Sequence, residues 1–495
     1  MLYQSTRGNI EAQTSAQAIA LGMVPQGGLF VPQKIPVVTW QEFSGLSYAE
    51  LALKIMGVFL DDLPGTTLQE AVKVYSDGHF DNQNPAPLVN VGNCGMLELW
   101  HGPTAAFKDM ALQVLPYLLA SSIKSMGIDV EVLILTATSG DTGKAALEGF
   151  KDAPGTKIVV FYPVRGVSAV QERQMLTTGG SNTYVAAVSG NFDECQTAVK
   201  KIFSSQELKR KLAERQMVFS SANSINWGRL LPQIVYYFWA YLQAVDQKRV
   251  KAGSKINVVV PTGNFGNILS AYYAQQMGLP IKKLICASNK NNVLSDFFLE
   301  GTYNSNRPFY LTSSPSMDIL ISSNFERFLF EISGRDAART AEWFKTLAAE
   351  GKFQVDQRTL ELSQQNMYAG WASEESAANI VHQIYKEYGY VLDPHTAVGM
   401  KVYQDYRQKS GDDTYTVLAS TASPYKFAAS VLQGLQQGSS VNNDPWEALQ
   451  KLKCLTGWRI PEGLKNLQDK AVQSAHKCDP NGIKDYLLER FCPNS

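Results

Sequence analysis

The chain contains a series of short apolar runs that lack polar alternation, and helical patterns separate several of them. Runs of this kind are expected where both faces of a strand are covered, as in a parallel sheet with helices on either side. The series therefore predicts an α/β fold with largely parallel sheets flanked by helices. The predicted strands, the fourth including its following turn, are 131–138, 157–163, 183–190, 256–264, 282–288 and 415–421.

The segments around this series divide the chain into three parts. Residues 1–80 predict an N-terminal helical unit, in which Ser47 and Glu50 have the spacing of a capping box at a helix start. Turn formers at 82–88 predict a linker into an α/β region, 81–430, of two subdomains with a mainly helical section at about 325–390. The segment 434–446 predicts a second linker, so that 431–495 forms a small C-terminal helical extension.

Composition excludes several classes of protein. The 495 residues carry 45 basic and 45 acidic side chains, so net charge does not favour binding to nucleic acid or anionic membranes. No apolar run reaches the roughly 18 residues of a membrane span, and the N-terminus lacks the pattern of a secretory signal. The six cysteines are scattered and contain no CxxC pair, so neither disulfides nor a metal site is predicted. A cytoplasmic location fits these features.

The first unusual turn follows the strand predicted at 131–138. It resembles a phosphate loop, but Thr138 replaces the first glycine and Ala145 follows Lys144, which disfavours a nucleotide. The amides from Ser139 to Gly143 could instead converge on an anion such as a carboxylate at the positive end of a helix. The alternative is a tight turn in which Asp141 or Thr142 caps the helix.

Two more strand ends carry such turns, and ligands of open α/β sheets bind beyond the carboxyl ends of strands. Gly263 and Gly266 allow close backbone approach, so their turn could hold a phosphate, although it lacks the GxGxxG pattern of dinucleotide sites. The third strand end carries the hydroxyls of Ser420, Thr421 and Ser423. Those hydroxyls could equally serve only to cap the next helix.

Lys108 lies in a stretch, "HGPTAAFKD", that is unusually small and apolar for an exposed loop. An apolar pocket lowers the pKa of a lysine amine, which makes the amine a usable nucleophile toward an aldehyde. The alternative is a lysine at a helix start that extends its ammonium group to solvent. The helical pattern that begins here includes Pro116, which should kink or shorten the helix.

The combined set of motifs resembles the tryptophan-synthase-like, fold type II family of pyridoxal phosphate (PLP) enzymes, and within it the threonine synthases. The resemblance covers nearly the whole chain. It rests on 26–32 "QGGLFVP", 97–109 "LELWHGPTAAFKD", 136–143 "TATSGDTG", 221–234 "SANSINWGRLLPQI", 261–281 "PTGNFGNILSAYYAQQMGLPI", 393–399 "DPHTAVG" and 420–427 "STASPYKF".

The resemblance implies a role for each site residue. Lys108 would attach PLP through its aldehyde and move protons, while Thr421 would lie beside the pyridine nitrogen. The cofactor phosphate would be held by the amides of Gly263, Asn264, Phe265, Gly266 and Asn267. The substrate carboxylate would be held by Ser139, Gly140, Asp141 and Thr142. Other parts of the substrate would be held by Ser224, Asn226 and Arg229. Arg229 is the candidate for binding the substrate phosphate, and Lys144 is a second candidate for the same role. The alternative for Arg229 is a structural ion pair.

The activity that the resemblance implies is the last step of threonine biosynthesis, in which O-phospho-L-homoserine and water give L-threonine and phosphate. The alternatives are a PLP-dependent phospholyase that releases a keto acid and a non-catalytic relative. A monomer or small homo-oligomer is expected. Two positions depart from related motifs: Ser423 stands where many members have His, and Asp141 where related enzymes often have Asn. An acid near the cofactor's phenolate would repel it unless protonated or turned away.

Overall fold

The computed structural model describes residues 1–81, 83–127, 129–138, 140–164, 166–190, 192–436 and 444–493. The strands are β1 (Leu2–Ser5), β2 (Gln13–Thr14), β3 (Phe30–Pro32), β4 (Leu88–Val91), β5 (Cys94–Glu98), β6 (Glu131–Ala137), β7 (Thr156–Pro163), β8 (Thr183–Val188), β9 (Met217–Ser221), β10 (Ile256–Pro261), β11 (Ile281–Ser288), β12 (Thr302–Asn304), β13 (Lys352–Gln354), β14 (Met367–Trp371), β15 (Thr416–Ser420) and β16 (His476–Cys478).

The helices surround these strands. They are α1 (Ser15–Leu21), α2 (Tyr48–Gly57), α3 (Gly65–Val72), α4 (Asp109–Leu112), α5 (Leu115–Ser125), α6 (Asp141–Phe150), α7 (Ala169–Leu176), α8 (Phe192–Ser204), α9 (Gln206–Ala213), α10 (Trp227–Asp246), α11 (Gly266–Gln276), α12 (Val293–Glu300), α13 (Phe325–Ile332), α14 (Ala337–Glu350), α15 (Gln357–Asn366), α16 (Glu374–Tyr388), α17 (Pro394–Ser410), α18 (Ala428–Leu435), α19 (Pro445–Thr456) and α20 (Ile483–Phe491). None of these helices is long and apolar enough to cross a membrane.

Two largely parallel sheets form the centre of the molecule. The first has the order β14-β11-β10-β15-β5-β4 and is parallel except for its edge strand β4. The second has the order β16-β8-β7-β6-β9 and is parallel throughout. The predicted fold class is therefore confirmed. All six predicted strands are present, because each is an apolar run that is buried on both faces.

The N-terminal unit differs in part from its prediction. Ser47 and Glu50 form the predicted capping box, with Glu50 N donating to Ser47 Oγ at 3.3 Å and Ser47 N donating to Glu50 Oε2 at 2.8 Å. However, the unit also contains an antiparallel sheet of order β2-β1-β3, which the prediction of a helical unit did not include. Strands of two to four residues carry too little pattern to be recognised in sequence.

The other departures also concern short elements. The section 325–390 is mainly helical as predicted, but it includes β13 and also β14, which forms an edge of the first sheet. The C-terminal extension is not only helical, since β16 pairs with β8 and completes the second sheet. The predicted linkers lie partly outside the described residues, at 82 and at 437–443. Pro116 falls in the first turn of α5, after a break from α4, as its sequence predicts.

Candidate active site

A cavity lies where the carboxyl ends of three neighbouring strands of the first sheet, β10, β15 and β5, come together. A short bridge between the loops after β5 and β15 joins two of these ends: Phe107 N donates to Thr421 O at 2.9 Å, and Ser423 N donates to Ala105 O at 3.1 Å. Segments that follow β6 and β9 of the second sheet reach the same cavity. Its lining consists of Phe107, Lys108, Thr142, Ser224, Arg229, Gln233, Pro261, Thr262, Gly263, Asn264, Phe265, Gly266, Asn267, Ser316, Met317, His395 and Thr421.

Lys108 is buried at this cavity, with 9% of its surface exposed. Its Nζ lies 4.7 Å from the centre of the Phe107 ring and 3.6 Å from Asp141 Oδ2. Burial lowers the pKa of the Lys108 amine to about 8, and the nearby charges of Lys426 and Arg229 act in the same direction against the opposing effect of Asp141. A larger share of the amine is therefore uncharged near neutral pH than for an exposed lysine.

Asp141 is the centre of a buried polar cluster beside Lys108. Its Oδ1 lies 2.7 Å from the Nζ of Lys426 and accepts a hydrogen bond from Gln171 Nε2 at 2.9 Å, and its Oδ2 accepts one from Ser316 Oγ at 3.1 Å. Burial by itself raises the pKa of the Asp141 carboxyl, but the adjacent ammonium groups of Lys426 and Lys108 outweigh this effect and hold the pKa well below its usual range. Asp141 is therefore an ionised carboxylate whose closest cation is Lys426.

The turn at Gly263 and Gly266 has the form of an anion cradle at the start of α11. A Cβ on Gly263 would lie 2.5 Å from the backbone oxygen of Ser316, so this position has no room for a side chain. The carbonyl oxygen of Gly263 accepts a hydrogen bond from Ser322 Oγ at 2.7 Å, which turns it toward protein. The first amides of α11 then face the cavity, as at other helix ends that bind anions.

Asn267 supplies an unsatisfied donor at the same place. Its Oδ1 accepts a hydrogen bond from the hydroxyl of Tyr236 at 2.6 Å and a second from Tyr237. Its buried Nδ2 has no hydrogen-bond partner among the described residues. A buried polar atom without a partner is costly, so this donor indicates a site for a ligand acceptor.

Arg229 brings a buried cation to the cavity lining. Only 2% of its surface is exposed, and its Nη1 donates to the carbonyl oxygen of Ala222, while its Nε has no partner among the residues that the structure describes. No carboxylate within the described ranges pairs with it, so the alternative prediction that Arg229 forms a structural ion pair is wrong. Burial lowers the pKa of the Arg229 guanidinium to about 10, yet the group remains charged at neutral pH. An anionic ligand would offset the cost of its burial.

Four of the predicted site residues that the structure describes lie outside this cavity lining, namely Gly140, Asp141, Lys144 and Asn226, and the last two have other hydrogen-bond partners. Lys144 Nζ donates to Glu148 Oε2 at 2.6 Å and to Thr178 Oγ1 at 2.9 Å, so its charge is already paired. Asn226 caps α10 by accepting from Gly228 N at 2.9 Å, and its Nδ2 donates to the carbonyl oxygens of Ile19 and Ser221. Both residues have structural partners that account for their side chains.

The turn before α6 is only partly open to an anion. Thr138 Oγ1 accepts hydrogen bonds from the amides of Gly140 and Gly143, at 2.9 and 2.8 Å. The prediction that all amides from Ser139 to Gly143 converge on an anion is therefore wrong. The residue at the N-cap position is Gly140, at φ 132°, rather than Asp141 or Thr142. Position 140 requires glycine, because a Cβ there would lie 2.5 Å from the side chain of Gln171. Ser139 lies outside the described residues.

Sequence reasoning missed three residues around the cavity, namely Lys426, Ser316 and His395. His395 shares a hydrogen bond of 2.8 Å with Asp393 Oδ1 through Nδ1, and its Nε2 accepts from Ser316 N at 3.2 Å. These two hydrogen bonds fix His395 against the Ser316 loop, which lies over the glycine turn. His395 and Lys426 do lie within distinctive motifs, but no local pattern marks either side chain as buried beside Lys108.

Three family descriptions match parts of the chain, and the last two of these parts overlap. "Threonine synthase N terminus" matches residues 2–74, "Pyridoxal-phosphate dependent enzyme" matches residues 93–421, and "Threonine synthase, C-terminal" matches residues 396–477. The cavity fits PLP, because Lys108 offers a buried amine to its aldehyde, while the Gly263 cradle and Asn267 Nδ2 offer space and a donor to its acceptors. PLP is therefore the cofactor of this chain.

Whole-chain relatives carry the same family name. Threonine synthase of Saccharomyces cerevisiae is 37% identical over 489 residues, which are 92% of this chain and 93% of that protein. Threonine synthase-like 1 of Homo sapiens is 40% identical over 442 residues, or 86% of this chain, and the match spans 58% of that longer protein. The crystal structure of PLP-bound threonine synthase from Brucella melitensis is 35% identical, with a TM-score of 0.86 and 99% of each chain covered. This chain belongs to the threonine synthase family of fold type II PLP enzymes.

Proposed function

We propose that this protein is a threonine synthase, a lyase that converts O-phospho-L-homoserine and water into L-threonine and phosphate. The observation that carries the proposal is one cavity that holds a buried lysine of lowered pKa, a glycine cradle and a second cationic group, Arg229, for which the described residues provide no carboxylate partner. One anion position suits the phosphate of the cofactor. The other suits a substrate that brings a phosphate of its own.

Lys108 is the proposed attachment and proton-transfer residue. With a pKa of about 8, roughly a tenth of its amine is uncharged at pH 7, which is several hundred times the fraction expected for an ordinary lysine. Bound PLP supplies an electron sink for the negative charge that develops when the α-proton of the substrate is removed. The Lys108 amine, once displaced by the substrate amine, can accept that proton and return protons to other carbons from the same position.

The phosphate of the cofactor is assigned to the turn of Gly263, Asn264, Phe265 and Gly266, with Asn267 at the end of that turn. Phe265 has a left-handed backbone at φ 62°, which bends the chain into the start of α11. The absence of a side chain at Gly263 lets the Ser316 loop approach the cradle closely. Amides at a helix start favour an anion, because they point toward it and the helix dipole is positive there.

The substrate is assigned to the remaining polar groups of the lining. Arg229 can bind the phosphate through two parallel N–H donors, and the Ser224 hydroxyl lies in the same lining. The α-carboxylate is assigned to the start of α6, at Thr142 and the amide of Asp141, together with Ser139. Neither Lys144 nor Asn226 is retained in this proposal, because both have structural partners.

Thr421 is assigned to the pyridine nitrogen of the cofactor. Its side chain is nearly buried at the end of β15 and lines the cavity. A hydroxyl can donate or accept one hydrogen bond but cannot hold the nitrogen protonated as a carboxylate could. The electron sink is therefore milder than with an acidic partner, which favours reactions in which protons are returned at defined positions.

The test is product analysis with purified protein, PLP and O-phospho-L-homoserine, in which phosphate, threonine and 2-oxobutyrate are followed together. We expect threonine and phosphate in equal amounts from the wild type. Lys108→Ala should form neither, whereas Lys54→Ala, which removes an exposed lysine, should behave as the wild type does. Phosphate with 2-oxobutyrate would instead identify a phospholyase. If no phosphate is released, O-phospho-L-homoserine is not the substrate.

A further inference from the structure

Lys426 is a buried charge that the proposed mechanism does not use. Its side chain has 0% exposure, and its Nζ donates to the carbonyl oxygen of Thr104 at 2.9 Å and lies 2.7 Å from Asp141 Oδ1. A lysine with no exposed surface and two fixed acceptors is not available to react with an aldehyde. Its position instead determines which of the two lysines, Lys426 or Lys108, pairs with the Asp141 carboxylate.

One carboxylate therefore lies between two ammonium groups, at unequal distances. Asp141 is 2.7 Å from the Lys426 nitrogen and 3.6 Å from the Lys108 nitrogen. The first distance is that of a charge-assisted hydrogen bond, whereas the second is too long for one. Gln171 and Ser316 occupy further acceptor positions on the carboxylate. The arrangement leaves Lys108 next to an acid that is already paired.

We propose that Lys426 is a positioning residue for cofactor attachment: by pairing with Asp141 it prevents a closed ion pair with Lys108 and keeps the Lys108 amine free to react. Without Lys426, Lys108 would be the nearest ammonium group to a buried carboxylate. The strong attraction between opposite charges in such a site would then hold Lys108 protonated. The inference rests on the proposed role of Lys108 but is independent of the substrate.

Charged groups on several elements act on the two lysines. Asp141, Lys426 and Arg229 act on Lys108, and loss of the Lys426 charge removes one of the effects that lower the pKa of Lys108. Asp109, whose pKa is raised to about 6 by burial, also interacts with Lys426. Asp109 accepts hydrogen bonds from Thr104, so it remains in place when Lys426 is changed.

The experiment measures the rate at which apoprotein captures PLP as a function of pH, from the absorbance of the bound cofactor. Borohydride reduction and peptide mapping then locate the modified lysine. For the wild type we expect the rate to rise with pH and to level off near the Lys108 pKa of about 8. Lys426→Gln should move this plateau to higher pH, with capture at pH 7 slower by about tenfold for each unit of the shift.

Three further variants separate positioning from a merely structural role. Lys426→Arg keeps the charge and should restore the wild-type profile, whereas Asp141→Asn should move the plateau to lower pH. The variant that combines Asp141→Asn with Lys426→Gln removes both charges of the pair, so it should fold. Its capture rate should level off at a pH well below the plateau of Lys426→Gln. An unchanged pH profile in Lys426→Gln would overturn the inference. If Lys426→Gln does not fold, an unchanged pH profile in the Asp141→Asn variants would overturn it instead.

The same experiment shows whether the underlying assignment is at fault. If Lys108→Ala captures PLP with the wild-type profile, the proposed role of Lys108 fails. If Lys108→Ala loses capture while Lys426→Gln keeps the wild-type plateau, only the positioning role of Lys426 fails. A lower temperature of unfolding in Lys426→Gln, with no change in the pH profile, would reduce Lys426 to a structural ion pair.

Discussion

Arg229 and Arg327 are both buried guanidinium groups, but their surroundings differ. Arg327 donates from Nε to Phe30 O at 2.9 Å and from Nη2 to Ile225 O at 2.6 Å, with a third bond to Asn324. In the part of the chain that the structure describes, Arg229 has a single acceptor, Ala222 O, and its Nε is without a partner. A buried charge with few partners destabilises the free protein and is retained where a ligand completes its contacts.

This difference predicts opposite effects of the same substitution. Arg229→Met should leave the unfolding temperature of the free protein unchanged or higher, because an uncompensated charge is removed. Arg327→Met should lower it, since each buried acceptor left unpaired costs about 1–3 kcal/mol. The measurement is thermal unfolding with and without inorganic phosphate, in protein loaded with PLP so that the cofactor phosphate fills the Gly263 turn and added phosphate reports on Arg229. Phosphate at about a hundred times its Kd should stabilise wild type by ~2.7 kcal/mol, and Arg229→Met should lose this stabilisation.

Two results would contradict this assignment of Arg229. Stabilisation by phosphate that persists in full in Arg229→Met would place the anion elsewhere. A large loss of stability in the free Arg229→Met protein would instead show that the guanidinium has protein partners as important as those of Arg327.

At the scale of elements, the start of α10 positions the site. Asn226 caps this helix and ties it to α1 and β9 through Ile19 and Ser221. Arg229 lies in the first turn that follows. The cap therefore fixes where the turn that carries Arg229 begins, although Asn226 itself does not line the cavity.

Asn226→Ala should lower the unfolding temperature of the ligand-free protein, because it removes a helix cap worth about 1 kcal/mol and two buried hydrogen bonds. Ser47→Ala is the matched control, since it removes the cap of α2, which carries no site residue. Ser47→Ala should lower stability by less and should leave the stabilisation by phosphate unchanged. If Asn226→Ala weakened only substrate binding, with no loss of stability, direct contact with substrate would be the better explanation.

The same elements show how far sequence patterns reach. Strands such as β6 and β10 are predictable, because every apolar side chain in them faces a covered side of the sheet. β14 and β16 are edge strands of five and three residues, and their identity as strands depends on distant partners. Pro116 and the Ser47 capping box act within a few residues, so their effects can be predicted locally.

The site divides in the same way. Lys108, the Gly263 turn and Arg229 lie within distinctive local motifs, and the sequence indicated all of them. Lys426 could not be predicted, because its hydrogen bond to Thr104 joins residues 322 positions apart. The separation of Lys144 and Asn226 from the cavity lining was equally inaccessible, since both belong to motifs that contain true lining residues and only packing distinguishes them.

At the scale of the whole molecule, the C-terminal extension is an integral part of the second sheet. Its strand β16 pairs with β8. Its helix α20 packs Ile483, Leu487 and Phe491 into the core formed with the strands of this sheet. This core is separate from the cavity, which lies at the carboxyl ends of the strands. Stability of this layer and binding of the cofactor should therefore be separable.

Leu487→Ala tests this separation. Leu487 has 0% exposure, so its truncation should cost about 2–5 kcal/mol and lower the unfolding temperature clearly. Lys484→Ala in the same helix removes only a partly exposed ion pair with Glu207 and should change stability by less than about 1 kcal/mol. At temperatures where both variants are folded, each should capture PLP with the wild-type pH profile, because α20 contributes no residue to the cavity lining. A normal unfolding temperature in Leu487→Ala would show that α20 does not hold this layer, whereas a shifted capture profile would show that the layer and the site are coupled.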